Sequence, residues 1–288
     1  MTNALLTVVG SVNEDVTMFS TALPAPGGTV LATSVRRSAG GKGANQAAAA
    51  AALVGRSRLI GAVGRDAFGD RMLDALRSAH VDVSLVRRVS IDTGRAYISV
   101  DPSGENSIVV APGANASVVV PPTLRGPVLC QLEVPVRAAI EAARATDGFF
   151  ALNAAPATTL PRELIDDCDL VVVNEAEYAA MPELRDARLV VVTLGADGAA
   201  AFERGVEIAR ASGRPAEVVS SVGAGDAFCA AVVLAIASGS SVSSALAVAC
   251  AVACAVGAAA VASLDARPAL GTLTSYFALS DASTPRPT

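Results

Sequence analysis

The chain runs in two hydrophobic rhythms. Short, nearly unbroken apolar runs recur as LLTVVGSV (5–12), RLIGAVG (58–64), VLCQLE (128–133), FFALN (149–153), LVVVN (170–174) and RLVVVTLG (188–195). Rich in β-branched residues and continuous rather than alternating, they read as strands buried on both faces. Helical patterns lie between or after them, near 43–54, 66–79, 136–145, 226–237 and 242–262. This alternation predicts an α/β fold with a mostly parallel sheet covered on both sides by helices. Two stretches break the rhythm, 14–38 and 94–112. They carry turn signals, PAPGG in the first and DPSGEN in the second, and RAYISV and SIVVAP flank the latter like a hairpin. These two insertions predict a small β lid on a single domain spanning 1–288, with no repeat or low-complexity linker to divide it.

Segment 245–262, ALAVACAVACAVGAAAVA, is 18 residues without a polar side chain. Its length suits a membrane span. Ten of the 18 are alanine, and no aromatic anchor or basic flank accompanies them, so a helix buried between layers is expected instead. Hydrophobic residues make up 52% and charged residues 17%, as a folded globule requires. The net charge of −5, without a Lys/Arg cluster, points away from nucleic acid.

One histidine, His80, removes His-built zinc sites and Ser-His-Asp chemistry, and its place at a helix end reads as structural. Acid–base work falls to carboxylates, Lys or Tyr. Five cysteines (130, 168, 229, 250 and 254) without a CxxC pair read as reduced, small hydrophobes of a cytoplasmic protein. The first residues show neither a basic region nor a cleavage site of a signal peptide.

Polar residues gather where the strands end. Asn13 and Asp15 follow the first, Glu133 ends VLCQLE, Asn153 ends FFALN, Asn174 ends LVVVN, and Thr193 and Gly195 close RLVVVTLG. Open α/β sheets bind ligands outside their strands' carboxyl ends. Asp226, in SSVGAGDAF (220–228), stands where a glycine turn becomes a helix. It reads either as a helix N-cap or as a base beside an anion site at the helix start. Its position on the same edge as the other polar residues favours the acid–base reading.

Each motif has a plain alternative. Asn13 and Asp15, two apart, share a face in extended chain and suit neighbouring hydroxyls, or form a polar strand exit. SAGGKGANQAAAA (38–50) is neither a P-loop nor a dinucleotide fingerprint, because Ala44 and Gln46 occupy the deciding places. Its glycines allow close backbone approach, with Lys42 and Asn45 as donors, or mark a loop-to-helix junction. Asn174 and Glu177, three apart at a helix start, share a face, where an acid suits the water shell of Mg²⁺. TLGADG (193–198) is a second glycine turn suited to a nucleotide.

SVNEDVT, GGKGANQA, QLEVP, VNEAE, TLGADG and SVGAGDAF occur in the order and spacing of the ribokinase family of carbohydrate kinases (the PfkB group), which the chain resembles from about residue 5 to 270. SGENSIVVAPGANA adds to the likeness. The resemblance implies a three-layer α/β/α sandwich whose β lid serves as a homodimer clasp. It implies transfer of the ATP γ-phosphoryl to a sugar primary hydroxyl, O5 in the case of D-ribose. Asp226 would be the base, with Gly223, Ala224 and Gly225 as the anion hole. Asn13, Asp15, Gly41, Lys42, Gly43, Asn45 and Glu133 would hold the sugar. Asn174, Thr193, Gly195, Asp197 and Gly198 would line the ATP site with Gly225, and Glu177 would order the Mg²⁺ shell. A cysteine of the long apolar helix, Cys254 rather than Cys250, would flank adenine.

The chain also departs from the family pattern. A K⁺ ligand six positions before the catalytic Asp is here Ser220, and a C-terminal GAQPS-like stretch has Asp265 and Ala269 in LDARPAL. With Ser220, Val222 and Asp265 around the cation position, activation by K⁺ is expected to be weak, or Asp265 rebuilds the site. PGG at 26–28 replaces the usual PGE near the lid hinge. Three alternatives stand beside a ribose kinase: a kinase for 2-deoxyribose or another pentose, a nucleoside kinase, or a sugar- or nucleotide-binding regulator without turnover. An aromatic content of 3% disfavours a nucleoside, whose base needs apolar or aromatic cover.

Overall fold

The structure is a computed structural model and describes residues 5–213, 223–258 and 270–281. The chain order is β1 (Leu6–Val9), β2 (Asn13–Ser20), β3 (Ala32–Gly40), α1 (Lys42–Val54), β4 (Ser57–Gly64), α2 (Ala67–Ser78), β5 (Val81–Val89), β6 (Gly94–Val100) and β7 (Asn106–Ala111). It continues with β8 (Val128–Gln131), α3 (Val136–Ala145), β9 (Phe150–Asn153), α4 (Arg162–Asp166), β10 (Leu170–Asn174), α5 (Glu175–Ala180) and β11 (Val190–Thr193). The last elements are β12 (Ala199–Glu203), β13 (Val206–Ala211), α6 (Ala224–Ala237), α7 (Val242–Ala258) and α8 (Leu273–Asp281).

The large sheet has the order β13-β12-β11-β10-β9-β8-β1-β4-β5. It is parallel from β11 to β5, and β12 and β13 add an antiparallel edge. Both faces are covered, which is why its strands read as unbroken apolar runs. Within LVVVN, Leu170 and Val172 join the core under α1, α2, α6, α7 and α8, whereas Val171 and Val173 join the core under α3 and α4. Within VLCQ, Leu129 faces the first core, and Val128 and Cys130 the second. Period-two geometry delivers successive apolar residues to opposite layers, giving the expected α/β/α sandwich.

The apolar stretch from residue 245 forms most of α7. It packs against α6, α8 and the β12–β13 edge. A helix that is apolar all round belongs in such a sandwiched place. Among the described residues no helix is long and apolar enough to cross a membrane.

The lid is a separate sheet of order β3-β2-β6-β7. Its segments, residues 13–40 and 94–111, lie within two residues of the expected bounds. Its root is fixed by Asp66. The carboxylate caps α2 by accepting from Gly69 N (2.7 Å) and also accepts from Thr93 N (2.7 Å) and Thr93 Oγ1 (2.9 Å), just before β6. His80 is exposed, in left-handed conformation (φ 59°) after α2.

Candidate active site

Two helix starts meet at the carboxyl edge of the sheet, and they differ in one respect. The start of α1 is occupied by the protein itself. Lys42 N donates to Glu133 Oε2 (3.1 Å), Gly43 N to Ser11 Oγ (3.3 Å) and Ala44 N to Ser11 O (2.9 Å). The start of α6 is bare. Gly223, in left-handed conformation (φ 79°), is its N-cap, and no side chain caps it among the described residues. The first N–H groups of a helix have no intrahelical partner, and those of Ala224 and Gly225 have none among the described residues, so they suit an anion, with the helix dipole behind them.

Asp226 lies in the first turn of α6 rather than at its cap, so capping does not account for it. Both carboxylate oxygens are gripped from α1. Asn45 Nδ2 donates to Oδ2 (3.0 Å) and Gln46 Nε2 to Oδ1 (3.1 Å). Burial raises the Asp226 pKa, and Lys42 and the two amides oppose this, while Glu133 adds to it. Burial alone would lower the Lys42 pKa, but the charges of Asp226 and Glu133 lead it upward, so the ammonium persists beside the carboxylates.

The candidate sugar side lies under the lid. Asn13 opens β2, buried at 2% exposure, and is held by Glu133 Oε2, which accepts from its Nδ2 (3.3 Å), and by Asn115 Nδ2, which donates to its Oδ1 (2.7 Å). Glu133 also accepts from Ser11 Oγ (2.6 Å), so this acid ties β1, β2 and α1 together besides facing the site. Asp15 is pushed up to about 7, first by burial and then by the charges of Glu133 and Asp226.

The glycines divide by role. At Gly41 (φ 91°) a Cβ would meet Asn13 N and Ser11 O within 3 Å, and at Gly43 one would come within 2.5 Å of Gly10 C and Ser11 N. Their bareness is accounted for by helix-to-strand packing. Gly225 is different, since a Cβ there would meet nothing within 4 Å among the described residues.

A cleft of about 230 Å³ runs from Asp226 along the sheet edge. Lys42, Asn153, Asn174, Glu177, Thr193, Gly223, Gly225 and Cys229 line it, with Ala155, Val172 and Val173. It therefore joins the candidate base to three of the expected nucleotide residues. Asn174 and Glu177 also form a capping box for α5, with Glu177 N donating to Asn174 Oδ1 (2.8 Å) and Asn174 N to Glu177 Oε2 (2.9 Å). Gly195 and Asp197 sit in the exposed turn after β11, and Gly198 (φ 103°) is packed against the backbone of Ala211 and Gly213. Cys254 is half-buried on α7, one turn from the buried Cys250. None of the five cysteines is in a disulfide. Ser220, Val222 and Asp265 lie outside the described residues.

Several polar partners went unassigned from sequence: Ser11, Asn115, Gln46 and, as a site residue, Asn153. Gln46 had a readable signal, a polar side chain inside the run of alanines of α1. Ser11 and Asn115 had none, because their partners are about a hundred positions away.

The open sheet, the ligand edge under a β lid, and a carboxylate beside a bare helix start together define a kinase of the α/β class. The chain belongs to the pfkB family of carbohydrate kinases, whose model matches residues 3–266. It is 34% identical over 257 residues to a ribokinase of Bacillus subtilis, covering 82% of this chain and 87% of that one. The structure is similar to that of Arabidopsis thaliana ribokinase complexed with ribose and ATP (TM-score 0.82, 31% identity, 96% of this chain and 98% of that chain). It is also similar to Cryptococcus neoformans ribokinase in complex with ADP (TM-score 0.81, 27% identity, 96% and 99%).

Proposed function

We propose that this chain phosphorylates D-ribose at O5, converting ATP and ribose to ADP and ribose 5-phosphate. The observation that carries the reading is Asp226, held by two amides beside the uncapped start of α6 and opening onto a cleft that reaches Asn174 and Thr193. The sugar hydroxyl gives its proton to Asp226 as the oxygen–phosphorus bond forms. The bond between Pγ and its bridging oxygen breaks, and ADP leaves with that electron pair. Phosphoryl transfer needs positioning and charge stabilisation more than covalent help. The free N–H groups at the start of α6 and the Lys42 ammonium suit the charge on the transferred group.

Asn13, Asp15, Gly41, Lys42, Gly43, Asn45 and Glu133 surround the sugar in this reading. Asn174, Thr193, Gly195, Asp197, Gly198 and Gly225 line the nucleotide path, and Cys254 flanks the base. Mg²⁺ would neutralise the phosphates when bound. Glu177 lines the cleft together with Asp226, and an acid there suits the water shell of an ion carried mainly by phosphate and water. A second copy would pack against the lid.

The test is ADP release with Mg·ATP over a panel of pentoses and nucleosides, for the native chain and Asp226→Asn. Ribose should lead, and the variant should lose roughly 10²-fold or more. Ribose binding without turnover in the native chain would leave a binding protein in place of an enzyme.

A further inference from the structure

Gln46 is fully buried (0% exposed) on α1, where its neighbours toward the core are alanines. Its orientation is dictated from the sheet. Asn153 Nδ2 donates to Val172 O (3.0 Å). A backbone carbonyl only accepts, so the Asn153 nitrogen turns toward it and Oδ1 is left facing α1. Gln46 Nε2 donates to that Oδ1 (3.1 Å) and to Asp226 Oδ1 (3.1 Å). Both hydrogens of one amide nitrogen are thereby used. The other end is not matched: Gln46 Oε1 has no partner among the described residues, and neither polar side-chain atom of Gln131 has one. Gln131 lies opposite Asn153 in the β8–β9 register. The nitrogen end, by contrast, is fully used, and one of its two hydrogen bonds goes to Asp226.

We propose that Gln46 is the positioning residue of Asp226, aiming the carboxylate through the series Val172–Asn153–Gln46, a role that rests on the sugar-kinase reading of the site. Asn45 alone would hold one oxygen and leave the carboxylate free to swing about its last torsion. Gln46 adds the second point of attachment and ties it to a central strand. The other charged or titratable groups around Asp226 are Lys42 on α1, Asp15 on β2, Glu133 after β8, Glu177 on α5 and Cys229 on α6. None of them is altered when the amide is removed. The hydrogen bond from Gln46 favours the ionised carboxylate, so its loss moves the acid limb of activity to higher pH.

The experiment uses the full chain and ribose phosphorylation, with Gln46→Met, Asn153→Leu and Asp226→Asn and the thermal midpoint of each. Gln46→Met should lower kcat by about 10²-fold, since misplacement by about 1 Å has that effect. Its KM for ribose should stay within about threefold, and the acid limb of the kcat profile should rise by roughly half a pH unit or more. In the Asp226→Asn background the same change should cost under about threefold, with no carboxylate left to aim. A folded Gln46→Met with native kcat and native pH profile overturns the proposal. So does a raised KM at unchanged kcat, which would make Gln46 a sugar contact. Asn153→Leu leaves α1 intact and decides the matter should Gln46→Met not fold. A kcat fall with the same limb shift supports the series, and native values overturn it. Absence of turnover in the native chain is a separate outcome, which sinks the kinase reading and this role with it.

Discussion

Asp15 shows how one residue couples the site to pH. Its pKa, pushed up to about 7, lies above the ordinary 3.8, so the folded protein binds this proton more tightly than the unfolded chain. The contribution to stability is present below the ordinary value and is lost as pH rises through about 7. The ligand-free protein should therefore lose thermal midpoint between pH 5 and 8. Asp15→Asn should reduce that slope, gaining on the native chain by about 2–4 °C at pH 8 for each kcal/mol relieved. Thermal melts of both proteins across this range check the sign, and parallel slopes would remove Asp15 as the cause. In the proposed sugar site function would run the other way, because a sugar hydroxyl donates to the ionised form. The KM for ribose should fall by at most about tenfold per pH unit up to neutrality and then level. Asp15→Asn should flatten this dependence and raise KM at pH 8. A site built to bind at neutral pH thus works against the stability of the empty fold.

At the scale of elements, the two glycine-led helix starts make opposite predictions. Gly43→Ala drives a Cβ into the backbone of Gly10 and Ser11. It should lower the thermal midpoint and, by shifting α1 and the amides that hold Asp226, cut kcat/KM by about 10²-fold. Gly225→Ala meets nothing within 4 Å among the described residues and lies in the first turn of a helix. It should gain up to about 0.5–1 kcal/mol of stability. If its N–H faces the transferred group, the same methyl should raise the KM for ATP or lower kcat. Melts and initial rates on the two variants separate packing glycines from a working one, and an unaffected Gly225→Ala rate would move the anion site elsewhere. The same elements show what the sequence made readable. LVVVN and VRAAIEAARA lie over β10 and α3 with their expected bounds, because burial on both sheet faces and a 3.6-residue period leave strong signals. β12, AAAFE, gave none, since alanine disfavours strands and only its hairpin to β13, turning at Arg204 and Gly205 in left-handed conformation, holds it in place. At the site, the order of polar strand ends was legible because it follows from topology. Asn174 and Glu177 were legible as a pair, yet the same spacing also encodes the capping box they form. The contacts of Gln46 were not legible, since they join residues 107 and 180 positions apart.

At the scale of the molecule, the lid is too apolar to stand in water alone. Register places Asp15, Thr17 and Phe19 of β2 on one face with Ala96 and Ile98 of β6 and Ile108 and Val110 of β7. Asp15 marks the end of this face over the proposed sugar site. Farther out, Ile108 and Val110 remain 54% and 46% exposed. A four-stranded sheet with an open apolar face calls for a cover. A second lid related by a two-fold axis supplies a self-complementary one. The native chain should then sediment at twice 28.7 kDa. Ile108→Glu should give a monomer with little loss of fold, because an exposed position contributes little to the core. In that monomer the lid, and Asp15 with it, would lose the support that holds it over the proposed sugar site. The KM for ribose should rise about tenfold or more, while the KM for ATP, whose proposed cleft is lined by Asn174 and Thr193 rather than by the lid, stays near native. Sedimentation velocity with initial-rate kinetics on the same samples tests both halves. A native chain of monomer mass at tens of micromolar would refute the pairing, and a monomeric variant with an unchanged ribose KM would show that the lid closes without its twin.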